Sequence, residues 1–246
     1  MRVDRLVCTQ FRNLESIDLS FAPGVNLFVG DNGQGKTNIL EAIQFFKFGR
    51  SFRAGRDTEL IHFGADFCRA EARCSFDAGD HEVFAASIER GGAKKVRIHD
   101  EEIPRLSDLV GRYPCVLFGP TDLDTVSGPP AERRRFLDMV GSMTDPAYIR
   151  CAREYRRILA QRNAALKARA PDDEVNAWNG RIVTAGAELI TRRRALVEAL
   201  ERELLAHARE LHSRFEFDIG YESALLRDAD AMAAGAGDGA AAPALA

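Results

Sequence analysis

The order of apolar and polar positions divides the chain into a β-rich part followed by a helical part. Residues 2–9 have the pattern of a first strand, and residues 16–21 alternate as a half-exposed strand does. The apolar run 25–29 predicts a short buried strand. Strand-like runs separated by turns within 67–99 predict a small antiparallel sheet, and 113–118 predicts one more core strand.

The pattern changes after Gly119-Pro120, where Ala, Leu, Arg and Glu become dominant. Breaks around two prolines predict helices at 130–143, 146–169 and 173–213. These helices would form an antiparallel arm or lobe. The alternating residues 215–221 predict a strand after it, and the Ala- and Gly-rich stretch from 229 onward buries too little apolar surface to become ordered.

A glycine-rich loop lies between the predicted strand 25–29 and a helix predicted over 37–46. It consists of Gly30, Asp31, Asn32, Gly33, Gln34, Gly35, Lys36 and Thr37. Its spacing is that of a phosphate-binding loop, and the strand before it and the helix after it are the context that this motif requires. An ordinary glycine-rich turn before a helix is the alternative.

Each residue type in this loop has a physical role if the loop binds nucleotide phosphates. Glycines allow backbone N–H groups to approach phosphate oxygens closely. The following helix adds free N–H groups and the positive end of its dipole. Lys36 would reach the β- and γ-phosphates of ATP, and the Thr37 hydroxyl would be a ligand of Mg²⁺.

The net charge and the cysteine spacing indicate in which compartment the protein works. The formal net charge of −3 gives no global basic field, so any contact with DNA would come from a local patch. The five cysteines are scattered and never spaced as Cys-x-x-Cys, which favours reduced thiols over disulfides or zinc. No apolar run approaches the length of a membrane span, and the first residues do not have the pattern of a signal peptide. We expect a cytoplasmic protein without a membrane partner.

Several segments together resemble the bacterial RecF family of recombination mediators. The most specific is 127–138, Ser-Gly-Pro-Pro-Ala-Glu-Arg-Arg-Arg-Phe-Leu-Asp, which is similar to the helix-opening motif of that family. The other matching segments are 11–14, 30–43, 49–53, 95–98 and 161–166. The likeness covers residues 1–225. A phosphate-binding loop by itself is shared by many ATPases, so the joint pattern carries the resemblance.

The resemblance implies an α/β fold with two lobes. One lobe would be a P-loop ATPase head of the ABC/SMC type, incomplete and with a small antiparallel sheet, and the other would be α-helical. The expected boundaries are residues 1–119 for the N-terminal part of the head and 120–226 for the helical lobe. Residues 227–246 would form a disordered tail.

The resemblance also implies a function in DNA replication, recombinational repair and the SOS response. Such a protein would bind ATP with Mg²⁺, form an ATP-dependent homodimer and bind single-stranded, gapped or junction DNA. It would help to load the recombinase together with RecR and RecO. By the same likeness, Asn38, Arg12 and Asn13 join the cofactor-binding residues, although ordinary turn chemistry is the alternative for Arg12 and Asn13.

The sequence departs from an ABC-type head at two motifs used in hydrolysis. Residues 115–118 are apolar but run into Gly119-Pro120, so Asp122 comes too late to end a Walker B strand. Residues 126–128 resemble the signature Ser-Gly only superficially, because prolines follow. The family's weak DNA-stimulated ATPase activity is therefore left open, and no catalytic residue is assigned. We expect a truncated or frameshifted RecF in which hydrolysis is absent or very slow.

Other interpretations stay open. The chain could be the ATPase head of another SMC-like family, or a fragment that binds ATP without hydrolysis. A small-molecule kinase or an interaction module are more distant alternatives. The arginines of 133–135 and of the following helix could contact DNA phosphates or form a solvated helix surface. The acidic residues 100–102, Asp122 and Asp124 are interpreted as turns or surface.

Overall fold

The structure is a computed structural model that describes residues 1–210 and 218–223. It divides into two compact units, Met1–Pro120 and Thr121–Ala246. The helices among the described residues include none that is both long and apolar enough to cross a membrane.

The first unit is built on an antiparallel sheet of six strands in the order β2-β1-β3-β4-β5-β6. The strands are β1 Arg2–Phe11, β2 Leu14–Ser20, β3 Phe67–Ser75, β4 His81–Glu89, β5 Lys95–Ile98 and β6 Glu101–Glu102. The predicted small antiparallel sheet and the two predicted N-terminal strands are confirmed. All the strand pairs described are antiparallel.

One face of this sheet forms the core of the first unit. Leu6 pairs with Ala72, Ala72 with Phe84, and Phe84 with Ile98, so these four buried side chains form one row across the sheet. These four side chains share one face because the side chains of directly paired residues point to the same side of a sheet. The small side chain of Ala72 in this row leaves room for the aromatic side chains that pack on the sheet.

Helix α1, Lys36–Phe45, packs on this face of the sheet and confirms the predicted helix. Its end places Phe46 within 6.2 Å of Phe84 and 5.8 Å of Tyr113, measured between ring centroids. All three rings are at most 1% exposed. Burial of one such ring contributes roughly 1.5–3 kcal/mol, so the helix that begins at the glycine loop is anchored firmly to the sheet.

Two predicted core strands are wrong. In 25–29 the backbone belongs to no strand, and Val25, Leu27 and Val29 are 83–94% exposed. The segment 113–118 likewise forms no strand, with Val116 exposed although Tyr113 is buried. The apolar composition made both segments candidates for strands. A strand, however, also needs a paired neighbour, and no described strand pairs with either segment.

The second unit contains α2 Asp124–Ser127, α3 Pro130–Thr144, α4 Pro146–Lys167 and α5 Asp172–Glu210. Helices α3 to α5 confirm the three predicted helices. Pro130 and Pro146 lie in the first turns of α3 and α4, where the backbone N–H group that proline lacks would have no partner within the helix. Asp145 caps α4 by accepting a 2.8 Å hydrogen bond from the backbone N–H of Ala147.

The helices of this unit share a small core of Tyr148, Cys151, Ala152 and Leu189. Short 3₁₀ helices elsewhere span Asp57–Leu60, Leu106–Leu109 and Pro120–Leu123. Of the strand predicted over 215–221, residues 218–221 have no regular structure and 215–217 lie outside the described residues. The predicted end of the third helix at 211–213 and the tail 227–246 also lie outside them.

Candidate nucleotide-phosphate site

The glycine loop leads directly into the N-terminus of α1. Gly33 and Gly35 have φ angles of 85° and 96°, a conformation that L side chains rarely adopt. A Cβ at Gly35 would also lie 2.7 Å from Leu14 Cδ2 and 2.8 Å from Asn13 Oδ1, whereas one at Gly33 would meet nothing within 4 Å. Two features therefore require glycine at position 35: the positive φ angle of its backbone and the close approach of the β1–β2 turn.

Lys36 places its ammonium group inside the loop. Its Nζ donates hydrogen bonds of 2.7 Å to the Gly30 carbonyl and 2.6 Å to the Asp31 carbonyl. The lysine thus bridges the start of the loop to the first residue of α1. A phosphate group bound by this loop would meet a fixed positive charge beside the free N–H groups of the helix.

The remaining loop residues are arranged around this charge. Asp31, Asn32 and Gln34 are exposed, and a Cβ at Gly30 would lie 2.5 Å from the Oε1 atom of Gln34. The side-chain amide of Gln34 therefore lies beside the backbone of Gly30, and the loop backbone is what a phosphate would contact.

Thr37 is exposed at the second position of α1. Among the residues described, no group of three or more His, Cys, Asp or Glu side chains could hold a metal ion. The threonine hydroxyl therefore offers one oxygen ligand. This fits Mg²⁺, which usually keeps several waters and takes other ligands from phosphate oxygens.

The structure brings Asn13 and Asn38 to the loop. Asn13 Nδ2 donates a 2.6 Å hydrogen bond to the Gly33 carbonyl. Asn38 Nδ2 in turn donates to Asn13 Oδ1 at 2.5 Å. The β1–β2 turn is thus tied to the loop and to the first turn of α1.

Arg12, in contrast, is directed to a buried carboxylate. Its Nη2 lies 2.9 Å from Glu41 Oε1, its Nε 3.1 Å from Oε2, and its Nη1 donates to the Glu59 carbonyl at 2.8 Å. The backbone of Arg12 has a φ of 56°, which turns the side chain into this arrangement. Its guanidinium is therefore a structural partner of α1.

Glu41 is the feature of the site that the sequence analysis missed. Its side chain is completely buried and accepts hydrogen bonds from Arg12, Arg53 and Ser51. Burial raises the pKa of Glu41, but the hydrogen bonds from these three residues outweigh burial and leave the pKa lowered. The carboxylate is therefore ionised at neutral pH. No pattern in the sequence singled out Glu41, since Gln44 is a second buried polar residue on the same helix.

The other charged candidates have surroundings of their own within their units. The acidic residues 100–102, Asp122 and Asp124 are exposed. In the second unit, Arg133 donates to the Gly128 carbonyl at 2.9 Å, and Arg157 pairs with Glu154 at 2.8 Å. Arg134, Arg135, Arg156 and Arg193 are among the residues that line a cavity of about 460 Å³.

Comparison with known proteins identifies relatives that match most of the chain. A family model described as the RecF/RecN/SMC N-terminal domain matches residues 2–119. The DNA replication and repair protein RecF of Lacticaseibacillus casei (strain BL23) is 34% identical over 231 residues, which cover 89% of this chain and 62% of the relative. The chain thus spans less than two thirds of the length of this curated relative.

Two solved structures have the same fold. One is of the recombination mediator protein RecF-ATPrS in the RecFOR pathway, with a TM-score of 0.79 and 28% identity, covering 85% of this chain and 57% of the other. The second is of RecF-ATP in the same pathway, with a TM-score of 0.79 and 25% identity, covering 92% and 64%. The predicted α/β class, with a small antiparallel sheet and a helical part, is confirmed by this likeness.

Proposed function

We propose, from the premise that this chain belongs to the RecF family, that it binds ATP through the loop of residues 30–37 and acts in DNA repair. The observation that carries the proposal is the loop itself. Lys36 is held against two loop carbonyls, and Gly35 begins α1 with no room for a side chain. The similar solved structures of RecF-ATPrS and RecF-ATP support ATP as the nucleotide.

Each residue of the loop would have its own role in binding ATP and Mg²⁺. Backbone N–H groups from Gly33 to Lys36 and the first turn of α1 would bind phosphate oxygens. Lys36 would neutralise their charge, and the hydroxyl of Thr37 would bind Mg²⁺. Asn13 supports the loop from outside through the Gly33 carbonyl and does not itself need to contact the nucleotide.

The finer parts of the function are proposals on the same premise. We expect binding of single-stranded, gapped or junction DNA, an ATP-dependent homodimer, recombinase loading with RecR and RecO, and a role in recombination and the SOS response. The cavity lined by Arg134, Arg135 and Arg156 is the best candidate for contact with DNA phosphates in the described residues. Five free cysteines agree with a reducing cytoplasm.

ATP binding without hydrolysis is the second candidate. The observation that favours it is the state of Glu41, the buried carboxylate nearest along the chain to the loop. Two arginines and a serine already bind its oxygens, so it is not available as a base for an attacking water. Measured turnover of ATP in the presence of DNA would contradict this second candidate.

The primary test compares ATP affinity in wild type, Lys36→Ala and the control Lys95→Ala. Lys95 is an exposed lysine on β5. We expect Lys36→Ala to weaken ATP binding at least roughly tenfold, since it removes a charge-assisted contact, and Lys95→Ala to bind as wild type does. Equal affinity of Lys36→Ala and wild type would contradict the proposal.

The DNA part of the function has its own test. Binding to gapped duplex would be measured over a salt series with and without ATP, in wild type and in Arg134→Gln. Phosphate contacts make log affinity fall with log salt, and loss of one contact lowers the slope by about one. A slope unchanged by the substitution would exclude Arg134 from the DNA contact, and an affinity independent of ATP would exclude coupling between the two ligands.

A further inference from the structure

We propose that Arg53 sets the conformation of the phosphate loop through a relay of side-chain hydrogen bonds. The Arg53–Gly33 relay consists of the guanidinium of Arg53, the amides of Asn38 and Asn13, and the carbonyl of Gly33. Glu41 binds the guanidinium of Arg53, the first group of this relay. The inference rests on the proposed function, because its consequence is measured as ATP affinity of the same loop.

The relay begins at a guanidinium that contacts two groups at once. Arg53 Nε and Nη2 lie 2.9 Å and 2.6 Å from Glu41 Oε2. The same Nη2 donates to Asn38 Oδ1. Because Glu41 is completely buried on α1, it gives Arg53 a fixed anchor, and the planar fork of the guanidinium then directs a donor at Asn38.

The segment that carries Arg53 is folded around the same carboxylate. Ser51 Oγ donates to Glu41 Oε1 at 2.5 Å. It also accepts hydrogen bonds from the backbone N–H groups of Arg53 at 3.0 Å and Ala54 at 2.9 Å. Both the backbone and the side chain of Arg53 are therefore positioned by Glu41, and little freedom remains for its guanidinium.

Hydrogen-bond polarity makes the relay directional. A guanidinium has only donors, so Asn38 must turn its carbonyl oxygen toward Arg53 and its NH₂ group toward Asn13. Asn13 accepts that bond on its Oδ1, so its own NH₂ group faces the Gly33 carbonyl. The orientation of every amide follows from the single donor-only group at the start of the relay.

The last bond of the relay controls a backbone group that phosphate binding depends on. Gly33 has a φ of 85°, and a Cβ at this position would meet nothing within 4 Å, so side-chain packing does not fix the direction of its carbonyl. The Asn13 amide holds it through the 2.6 Å hydrogen bond. A carbonyl turned inward would repel a phosphate oxygen. Without Arg53, the amides of Asn38 and Asn13 could both flip, and the Asn13 oxygen would then face the Gly33 carbonyl.

The first experiment uses Arg53→Lys, with Arg50→Gln as a matched control from the same segment. Arg50 is exposed and belongs to no hydrogen bond or ion pair among the described residues. A lysine keeps the charge next to Glu41 but cannot hold Glu41 and Asn38 together. We expect Arg53→Lys to retain most of the wild-type unfolding temperature and to bind ATP roughly tenfold more weakly, the value of one hydrogen bond.

A double-mutant cycle separates the relay from general destabilisation. ATP affinity would be measured for Arg53→Gln, Asn38→Ala and the double variant, at a temperature at which circular dichroism shows all of them folded. If both residues act through the relay, the double variant loses no more affinity than the stronger single variant. If the loss of ATP affinity in the double variant equals the product of the fold-losses in the two single variants, the relay is wrong.

The outcomes distinguish this inference from the function on which it rests. If Lys36→Ala loses ATP affinity while Arg53→Lys binds ATP as wild type does, the relay is wrong and ATP binding by the loop stands. If wild type binds no ATP, both fail. If Arg50→Gln loses as much affinity as Arg53→Lys, the loss is not specific to the contacts of Arg53 and the relay is wrong.

Discussion

Arg12 binds Glu41 through two hydrogen bonds, of 2.9 Å from Nη2 to Oε1 and 3.1 Å from Nε to Oε2. The pair joins the β1–β2 turn to the helix that begins at the phosphate loop. The carboxylate is fully buried and the arginine is 21% exposed, so water screens the pair little. Removing one partner of such a pair leaves a buried charge without compensation.

Arg12→Ala is expected to lower the free energy of unfolding by about 3 kcal/mol, because Glu41 loses two of its hydrogen bonds in a buried position. Urea unfolding followed by circular dichroism measures the change. Arg2→Ala is the matched control, since Arg2 pairs with Asp4 at the surface of β1 and its loss should cost less than about 1 kcal/mol. Equal losses in the two variants would contradict the structure.

Stability should decrease in acid partly through Glu41. Its folded pKa is below its ordinary value of 4.5, so its contribution is fully present above pH 4.5 and is lost as pH falls through the folded pKa. We therefore expect Glu41→Gln to be less stable than wild type at pH 7, and the difference to shrink below pH 4.5. Urea unfolding of both proteins over this range is the measurement. A difference independent of pH would show that the charge of Glu41 does not stabilise the fold.

Gly141→Ala in α3 should destabilise the helical unit. Its new Cβ would lie 2.7–2.8 Å from ring atoms of the buried Tyr148, so the packing must shift at a cost of roughly 1–3 kcal/mol. Gly180→Ala in α5 is the control, because nothing lies within 4 Å of that Cβ. There the better helix propensity of alanine should stabilise by up to about 1 kcal/mol. Thermal unfolding would detect opposite signs, and stabilisation by both substitutions would refute the contact.

Three buried cysteines should be unreactive in the native protein. Burial raises the pKa of Cys8, Cys68 and Cys74 to about 12, so almost no thiolate is present at neutral pH. We expect iodoacetamide at pH 7.5 to leave these three unmodified in the folded chain and to modify them in urea. Peptide mass spectrometry reads out each position. Native labelling of Cys8 at the rate seen in urea would contradict its burial.

Local features of the sequence determined the loop and the helices. Glycines at positions with positive φ, the lysine after them, and prolines in first turns act over a few residues, so their consequences can be predicted without the fold. For the same reason the three helices of the second unit and strands β1 to β5 were predicted with nearly correct boundaries, whereas β6, within residues interpreted as turns or surface, was not predicted. Asn13 and Asn38 were chosen by family likeness, and the structure supplied the contacts that connect them to Gly33.

The tertiary structure decided everything that depends on partners distant in sequence. The apolar segments 25–29 and 113–118 are not strands, because composition indicates that a segment can pair but not that a neighbour lies beside it. Glu41 had no special status in the sequence. It became the centre of the site because folding places Arg12, 29 residues before it, and Arg53, 12 residues after it, against the same buried carboxylate. Burial and charge pairing arise only when the chain is packed, so no local pattern could reveal them.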